Sequence, residues 1–549
     1  LRTVLENLPP GVPVLATTAT ANARVTRDVA EQLASGADGE ALVLRGPLDR
    51  ESLCLAVVEL PAAQQRLGWL AEHLDQLPGS GIIYTLTVAA AHETAAFLGE
   101  RGHEVLPYTG RDEQEQRLAA ERALLDGELK ALVATSALGM GFDKPDLGFV
   151  VHLGAPQSPV AYYQQIGRAG RAVPRAEVVL LPGREDRDIW AYFASLAFPP
   201  EALVRATLGA LGEATGPLSS GALETQVDLS RARLEMMLKV LDVDGAVRKV
   251  TGGWTATGQS WAYDAERYAT VAAERGREQR AMLDYLRTPG CRMEYLRQQL
   301  DDPAAQPCGR CDNCTGHPWP AEVSKEGTAL AQTRLLRPGV DISPRRMWPP
   351  GMKRLGVDVS GKIPARVSAD TGRALGRLTG LGWGPRLRAL LEPGAGGTGP
   401  GGTGPGDPVP PDLVAALVQV LAAWDWEQRP AGVVTLPSHT RPQLIASLGQ
   451  RIAEIGRLPL LGSLSYAGSG PRAGPSGAQQ FNSPQRLQAV WRELHLPGPL
   501  AEAVAALGGP VLVIDDRIDS GWTMTVAARL LREAGAPRVL PLVLAVNAG

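Results

Sequence analysis

The chain has 549 residues, 44% of them apolar and 21% charged, with a formal net charge of −3. That length supports roughly three to five domains, each with its own core. The near-neutral balance excludes a chain-wide basic footprint, so any nucleic-acid contact must come from local patches and backbone amides. No run of about eighteen apolar residues offers a membrane span.

Taken in chain order, Val12 to Thr17 reads as a buried strand and Asn22 to Leu33 as a helix with Asn22 as N-cap. Residues 50–198 then alternate strand and helix. Strands are predicted at 55–60, 81–84, 104–108, 131–135, 149–153 and 176–181, and helices at 62–76, 88–101, 112–126 and 159–166. Short apolar strands between amphipathic helices predict a mostly parallel, doubly wound α/β sheet. Its chemistry is expected at the C-terminal ends of the strands.

Between 199 and 263 the pattern changes. Leu218 to Gln226 and Leu229 to Leu241 read as two short helices, and Val247 to Val250 with Trp254 to Thr257 as a hairpin. Helix-turn-helix plus hairpin is the outline of a winged helix, although a small helical bundle gives the same pattern. Residues 264–318 combine a long polar helix with a cysteine cluster. Residues 319–392 match no motif. The Gly/Pro-rich stretch 393–411 reads as a linker, and 412–549 as a further α/β unit.

Four of the five cysteines cluster: Cys291, Cys308, Cys311 and Cys314. Cys308 and Cys311 share a C-x-x-C knuckle that overlaps a second one ending at Cys314, and Cys291 supplies a fourth thiolate. Four soft ligands select structural zinc, with an iron–sulfur cluster as the alternative. Clustered thiols also fit a reducing, cytoplasmic setting. The fifth, Cys54, reads as a small hydrophobe in a strand.

In Tyr163-Gln164-Gln165-Ile166-Gly167-Arg168-Ala169-Gly170-Arg171, two guanidinium groups stand three residues apart between glycines. Planar, permanently charged forks suit the charge that develops on a triphosphate. Ala134-Thr135-Ser136 through Gly141-Phe142-Asp143-Lys144-Pro145-Asp146 lies upstream, and Ala16-Thr17-Thr18-Ala19-Thr20-Ala21 further upstream. In this order, and with this cysteine spacing, residues 1–317 resemble the RecQ family of superfamily 2 DNA helicases. The resemblance implies that 1–48 is a remnant of a first RecA-like domain and 49–198 the second. It implies ATP and Mg as needs of the intact protein, single-stranded or tailed duplex DNA as partner, 3′ to 5′ polarity and a place on the bacterial nucleoid. Arg171 would be the arginine finger, with Arg168 beside it. Gln164 would couple nucleotide state to closure, Asp143 would lie near the ribose, and Thr135, Thr18 and Thr20 would contact or couple to DNA. In typical RecQ proteins a winged helix follows the zinc module, whereas here the similar segment precedes it.

Near the end of the chain, Val511-Leu512-Val513-Ile514-Asp515-Asp516-Arg517-Ile518-Asp519-Ser520-Gly521-Trp522-Thr523 runs from an apolar strand into a helix predicted over Met524 to Ala534. Paired carboxylates at a strand end suit vicinal hydroxyls, and hydroxyls with backbone N–H groups at a helix start suit a monophosphate. This run resembles the PRPP-binding motif of type I phosphoribosyltransferases. The resemblance implies that Asp515 and Asp516 hold ribose, with Mg as a candidate bridge. Ser520, Gly521 and Thr523 would hold the 5′-phosphate, and Asp519 would be a candidate base. Ser438 to Arg441 offers weak pyrophosphate contacts.

Three readings follow: a RecQ-like helicase with an appended PRPP-binding domain, a phosphoribosyltransferase or PRPP sensor with a DNA-targeting front half, and a non-catalytic DNA-binding scaffold. The sequence holds no G-x-x-x-x-G-K-S/T phosphate loop, since its Gly361-Lys362 is followed by Ile363. This chain by itself is therefore expected not to hydrolyse ATP. Phosphate release in the presence of single-stranded DNA checks this, and robust turnover would refute it.

Overall fold

The computed structural model describes residues 9, 12–18, 20, 22–34, 41–138, 142–195, 198–391, 407–438, 440–467 and 482–547. The linker stretch up to 406 and His439 lie outside them. The chain forms two compact units. One contains residues 1–197 and 264–335, the other 198–263 and 336–549.

The first unit is built on a six-stranded sheet, all parallel, in the order β1-β6-β5-β2-β4-β3. The strands are β1 (Leu53–Val57), β2 (Gly81–Thr85), β3 (Val105–Tyr108), β4 (Ala131–Ala134), β5 (Phe149–Leu153) and β6 (Ala176–Leu181). Preceding and connecting them are α1 (Ala23–Ala34), α2 (Ala63–His73), α3 (Val88–Glu100), α4 (Gln114–Leu125), α5 (Pro159–Ile166) and α6 (Asp186–Ser195). The central strands are buried on both faces, which is why they read as unbroken apolar runs. Thr87 caps α3 and Ser158 caps α5 through their side-chain oxygens, and Asn22 caps α1.

Val12 to Thr17 does not form the expected strand. Val12, Val14 and Leu15 are exposed, and none of the six paired strands takes up this segment. An apolar run becomes a buried strand only where neighbours accept its backbone bonds and cover its faces.

The rest of the first unit is α10 (Ala265–Arg287), α11 (Arg292–Gln299), α12 (Asp312–Thr315) and α13 (Lys325–Leu335), numbered after three helices of the other unit. Residues 319–335, which carry no motif, fold back on α2. Trp69 Nε1 donates to Pro320 O at 2.7 Å, and a Cβ at Gly68 would meet Val323 and Gly327 at 3.0–3.1 Å. The small residue permits this close approach.

The second unit begins with α7 (Glu201–Glu213), α8 (Ser220–Glu224), α9 (Arg231–Val243) and the hairpin β7 (Val247–Val250) and β8 (Gly253–Ala256). Leu234, Met237, Leu238 and Leu241 form the buried face of α9. The larger sheet of this unit has the order β12-β11-β15-β16-β10-β9. Its strands are β9 (Val340–Ile342), β10 (Gly372–Arg377), β11 (Gly432–Thr435), β12 (Leu460–Ser463), β15 (Val511–Ile518) and β16 (Val539–Val546); β13 and β14 form a two-residue pair at 465–466 and 494–495. Only β9 runs antiparallel. Residues 340–377, unassigned from sequence, thus supply two strands. The helices are α14 (Gly384–Leu391), α15 (Pro411–Ala422), α16 (Pro442–Gly456), α17 (Ser483–Glu493), α18 (Gly498–Leu507) and α19 (Trp522–Glu533).

Asp186 ties β5 to β6. Its Oδ2 accepts from Ala155 N at 2.7 Å and Gly183 N at 2.8 Å, and the residue is buried. Burial pushes its carboxyl up to about 7, against the pull of those two N–H groups. The folded state therefore binds a proton that an unfolded aspartate has released. Stability from this group is full below the unfolded value and is lost as pH rises towards about 7. Asp186→Asn keeps an acceptor and removes the titration. It is expected to raise Tm over the native chain more at about pH 8 than at about pH 5, and thermal unfolding at both values showing the reverse would contradict the assignment.

Candidate functional site

Three groups of sequence-expected residues can be located. The cysteine cluster is the most compact. The Sγ atoms of Cys291, Cys308, Cys311 and Cys314 lie within 4.8 Å of one another. A tetrahedral zinc with Zn–S bonds near 2.3 Å needs S···S separations of about 3.8 Å, and Cys291 and Cys311 stand at 4.0 Å. Backbone N–H groups point at the sulfurs: Cys308 N to Cys291 at 3.1 Å, Glu294 N to Cys291 at 3.4 Å and Arg292 N to Cys311 at 3.5 Å. The hydrogen bond shared by Cys308 and Cys311 lowers the Cys311 thiol and raises that of Cys308, two sulfurs holding one proton between them, and the Arg292 N–H further favours the charged form of Cys311. Donors aimed at clustered sulfurs favour thiolates, the form that binds metal. The residues present fit zinc.

Sequence reading missed the residues that dock this loop. Asp312, the start of α12, pairs with buried Arg292 at 2.6 Å and accepts from Val57 N at 3.0 Å. Arg310 donates to Leu53 O at 3.2 Å and Arg50 O at 3.0 Å. The loop thereby covers the free edge of β1, an edge that would otherwise invite mispairing. The only hint in sequence was the pair of charged residues inside the cysteine run.

The arginine run sits elsewhere than expected. Gly170 N donates to Leu147 O at 3.0 Å, and Ser52 Oγ donates to Gly170 O at 2.6 Å. Leu147 and Ser52 precede β5 and β1, so the run lies at the N-terminal edge of the sheet. The expectation of a C-terminal edge fails here because α5 runs back along the strands before delivering it. Thr135, directly after β4, does lie at the C-terminal edge.

Arg171 is exposed and pairs through Nη1 with Asp143 Oδ1 at 2.7 Å. Arg168 Nη1 donates to Phe142 O at 3.0 Å, and its buried Nε has no partner among the described residues. Gln164 Nε2 donates to the hydroxyl of Thr20, and Thr20 N to Thr18 Oγ1 at 3.3 Å. Four of the expected residues thus pair with one another, Arg171 with Asp143 and Gln164 with Thr20, with Thr18 beside the second pair; Arg168 bonds the carbonyl next to Asp143, and Thr135 stands apart. Gly139 to Gly141 lie outside the described residues.

Behind Arg168 stands an aromatic column that the sequence did not reveal. Tyr84 stacks on His152 at 5.1 Å, His152 meets Tyr162 edge-on at 4.9 Å, and Tyr162 meets Tyr285 of α10 at 5.3 Å. Burial lowers His152 to about 4, with its Gln165 partner at 2.8 Å opposing, so it is neutral. Burial raises Tyr84 to about 12 despite the nearby Arg168 cation.

In the second unit, Asp515 and Asp516 lie in the last half of β15, and Ser520 and Gly521 enter α19 at the C-terminal sheet edge. Gly521 has φ +79°, which favours glycine. Burial, and then the charge of Asp516, push the Asp515 carboxyl well above the carboxylate range. A cation bound there would reverse that shift. Asp519 is engaged by Arg486 and by Asn547 Nδ2 at 3.0 Å. Burial draws its carboxyl up, but Arg486 and Asn547 outweigh it and hold it below the usual value. Arg345 Nε donates to Ser520 O at 2.7 Å and its guanidinium lies 5.1 Å above Trp522. Ser438 Oγ accepts from Arg441 N at 3.1 Å.

Residues 65–173 match the family described as helicase conserved C-terminal domain. An ATP-dependent DNA helicase RecQ of Synechocystis is 32% identical over 266 residues, covering 46% of this chain and 52% of its own length. One of Pasteurella multocida is 34% identical over 176 residues, covering 32% of this chain and 27% of its own. A solved structure of Mycobacterium smegmatis helicase Lhr bound to ssDNA and AMP-PNP has TM-score 0.27 at 23% identity, covering 44% of this chain and 36% of that one. The chain thus spans about half or less of the length of these curated relatives. The sequence comparisons define the matched part as a superfamily 2 helicase lobe. Within that class it is RecQ-like.

Removing metal with a strong chelator is expected to release about one zinc per chain and to lower Tm sharply, since such sites contribute on the order of 10 kcal/mol to folding. Metal analysis and circular dichroism read this. Visible charge-transfer absorbance with bound iron would instead assign an iron–sulfur cluster.

Proposed function

We propose that this chain is the nucleotide-closing and DNA-handling part of a RecQ-like, ATP-dependent 3′ to 5′ DNA helicase acting in repair or recombination, with an appended PRPP-binding domain. The observation that carries the motor reading is Arg171, solvent-exposed at the sheet rim and held in place by Asp143. A guanidinium on a fixed tether can turn to a triphosphate bound against a first RecA-like lobe, and the Asp143 carboxylate released from it can reach a ribose hydroxyl. Arg168, anchored on Phe142 O, keeps a second positive charge beside it. The Gln164–Thr20 contact ties this rim to the segment leading into α1, a route by which nucleotide state could reach DNA. Thr135 at the opposite sheet edge is the candidate DNA contact. The helix-turn-helix and hairpin of 199–263 read as a winged-helix-like module, and the zinc cluster as a structural one.

In the second unit, the shielded Asp515–Asp516 pair and the glycine turn at 521 support a site for a ribose 5-phosphate group and Mg. Thr523 and Ser520 add hydroxyls at the start of α19. The ion pair that keeps Asp519 charged makes it a weak base, which favours binding of PRPP over transfer from it.

Joined to an ATPase-competent first lobe, Arg171→Ala is expected to lower DNA-stimulated ATP turnover by about 10³-fold while sparing DNA affinity; undiminished turnover removes Arg171 from the site. By calorimetry, Asp515→Asn with Asp516→Asn is expected to weaken PRPP–Mg binding about tenfold or more. A native chain that binds no PRPP sinks that half of the reading.

A further inference from the structure

Beside α19 lies a cavity of roughly 740 Å³ whose lining includes Arg345, Arg346, Lys362 and Arg532. Its one acidic wall residue, Asp370, is already committed to Arg538 at 2.8–2.9 Å and to Val539 N at 3.1 Å. The cations stand on fixed backbone. Met347 and Lys362 form an antiparallel bridge, with Trp348 N donating to Gly361 O and Ile363 N to Arg346 O, both at 2.9 Å. Arg345 is tied to Ser520 O at the start of α19. Arg532 is tied to Ala365 O at 3.1 Å in its last turn, and its buried Nε is without a partner among the described residues. The exposed side chains of Arg346 and Lys362 carry no hydrogen bond or ion pair among the described residues. A helix of 12 residues is about 18 Å long, so the cations at its two ends cannot converge on one phosphate.

We propose that this groove binds the phosphodiester backbone of a single DNA strand, and that the C-terminal unit is thereby a DNA-contacting element in its own right. The spacing suits a ligand that presents several phosphates in a row, and the absence of free acids on the wall suits a polyanion. Exposed aromatic rings do not line it, so the contact reads charge and not bases. The proposal rests on the reading of this chain as one that handles DNA.

The test uses the full chain and a fluorescent oligothymidylate, with anisotropy followed across a salt series. Arg346→Ala with Lys362→Ala is expected to weaken binding and to reduce the slope of log affinity against log salt by about 1.4, two contacts at about 0.7 each. Arg429→Ala with Arg451→Ala, an equal charge change on other exposed positions of the same unit, is expected to leave the slope in place. If the native chain binds and the groove variant keeps its slope, the groove proposal is overturned and the DNA-handling reading stands. If the native chain binds no DNA, both fall. If AMP at equal phosphate concentration displaces the strand, the groove takes free nucleotide and the proposal is also overturned.

Discussion

The first unit depends on how the exposed edge of β1 is closed. That strand is short and apolar, and its outward backbone groups would otherwise be unpaired. Asp312 takes the Val57 N–H while forming a buried pair with Arg292. A buried ion pair is costly unless its remaining valences are met. Here they are: Arg292 also donates to Tyr285 O at 3.3 Å, and Asp312 accepts from Asn313 N at 2.7 Å. The same two residues sit inside the cysteine module, one after Cys291 and one after Cys311. Closing the sheet and gathering the sulfurs are therefore one event. Tyr285, beneath Arg292, continues into the aromatic column that reaches Tyr84 and the back of Arg168. The column gives the arginine rim a rigid floor, which is what a guanidinium needs if it is to wait in position for a charge.

The second unit solves a different electrostatic problem. Two adjacent carboxylates at the end of a buried strand cannot both be charged cheaply. The fold leaves that tension in place at Asp515 while settling Asp519 with Arg486 and Asn547. A cation placed beside the pair would relieve that tension. The neighbouring Arg345 covers Trp522 and holds the Ser520 carbonyl, so positive charge lies next to the loop at the start of α19.

Periodicity located the first sheet because its strands are buried on both faces and its helices are capped by local residues such as Thr87 and Ser158; these are short-range properties. The cysteine cluster was legible for the same reason, three ligands falling within seven residues. What escaped was set by distant partners. Val12 to Thr17 has strand composition without a neighbouring strand. Residues 340–377 have weak strand composition, Gly372 and Gly376 among them, but gain a strand because β16 lies alongside. Gly372 and Gly376 are themselves required there, since a Cβ would meet Pro541 or Trp383 at 2.6–2.8 Å. The edge on which the arginine run falls is likewise a matter of chain direction, which motif spacing does not encode.

Chain order also conceals where the segment 198–263 belongs. In sequence it separates the first sheet from the cysteine module, yet its partners are in the C-terminal half. Asn482 is buried, and its amide donates to Glu224 O and to Val227 O at 2.6 Å, while its own N–H meets Asp228 Oδ1 at 3.0 Å. Gly351 lets the backbone lie against Thr225, where a Cβ would come within 2.7 Å of its methyl group. The turn between α8 and α9 is thus fixed by three hydrogen bonds from one residue more than 250 positions away. The small core around Leu234, Leu238 and Trp254 buries too little apolar surface to stand comfortably alone. Docking on the C-terminal sheet domain supplies the rest. Because the chain passes between the units at 197–198, 263–264 and 335–336, neither can be excised as a continuous stretch of sequence. Each unit is thus assembled from two separated stretches of sequence, and the segment 198–263 folds with residues that lie beyond the cysteine module.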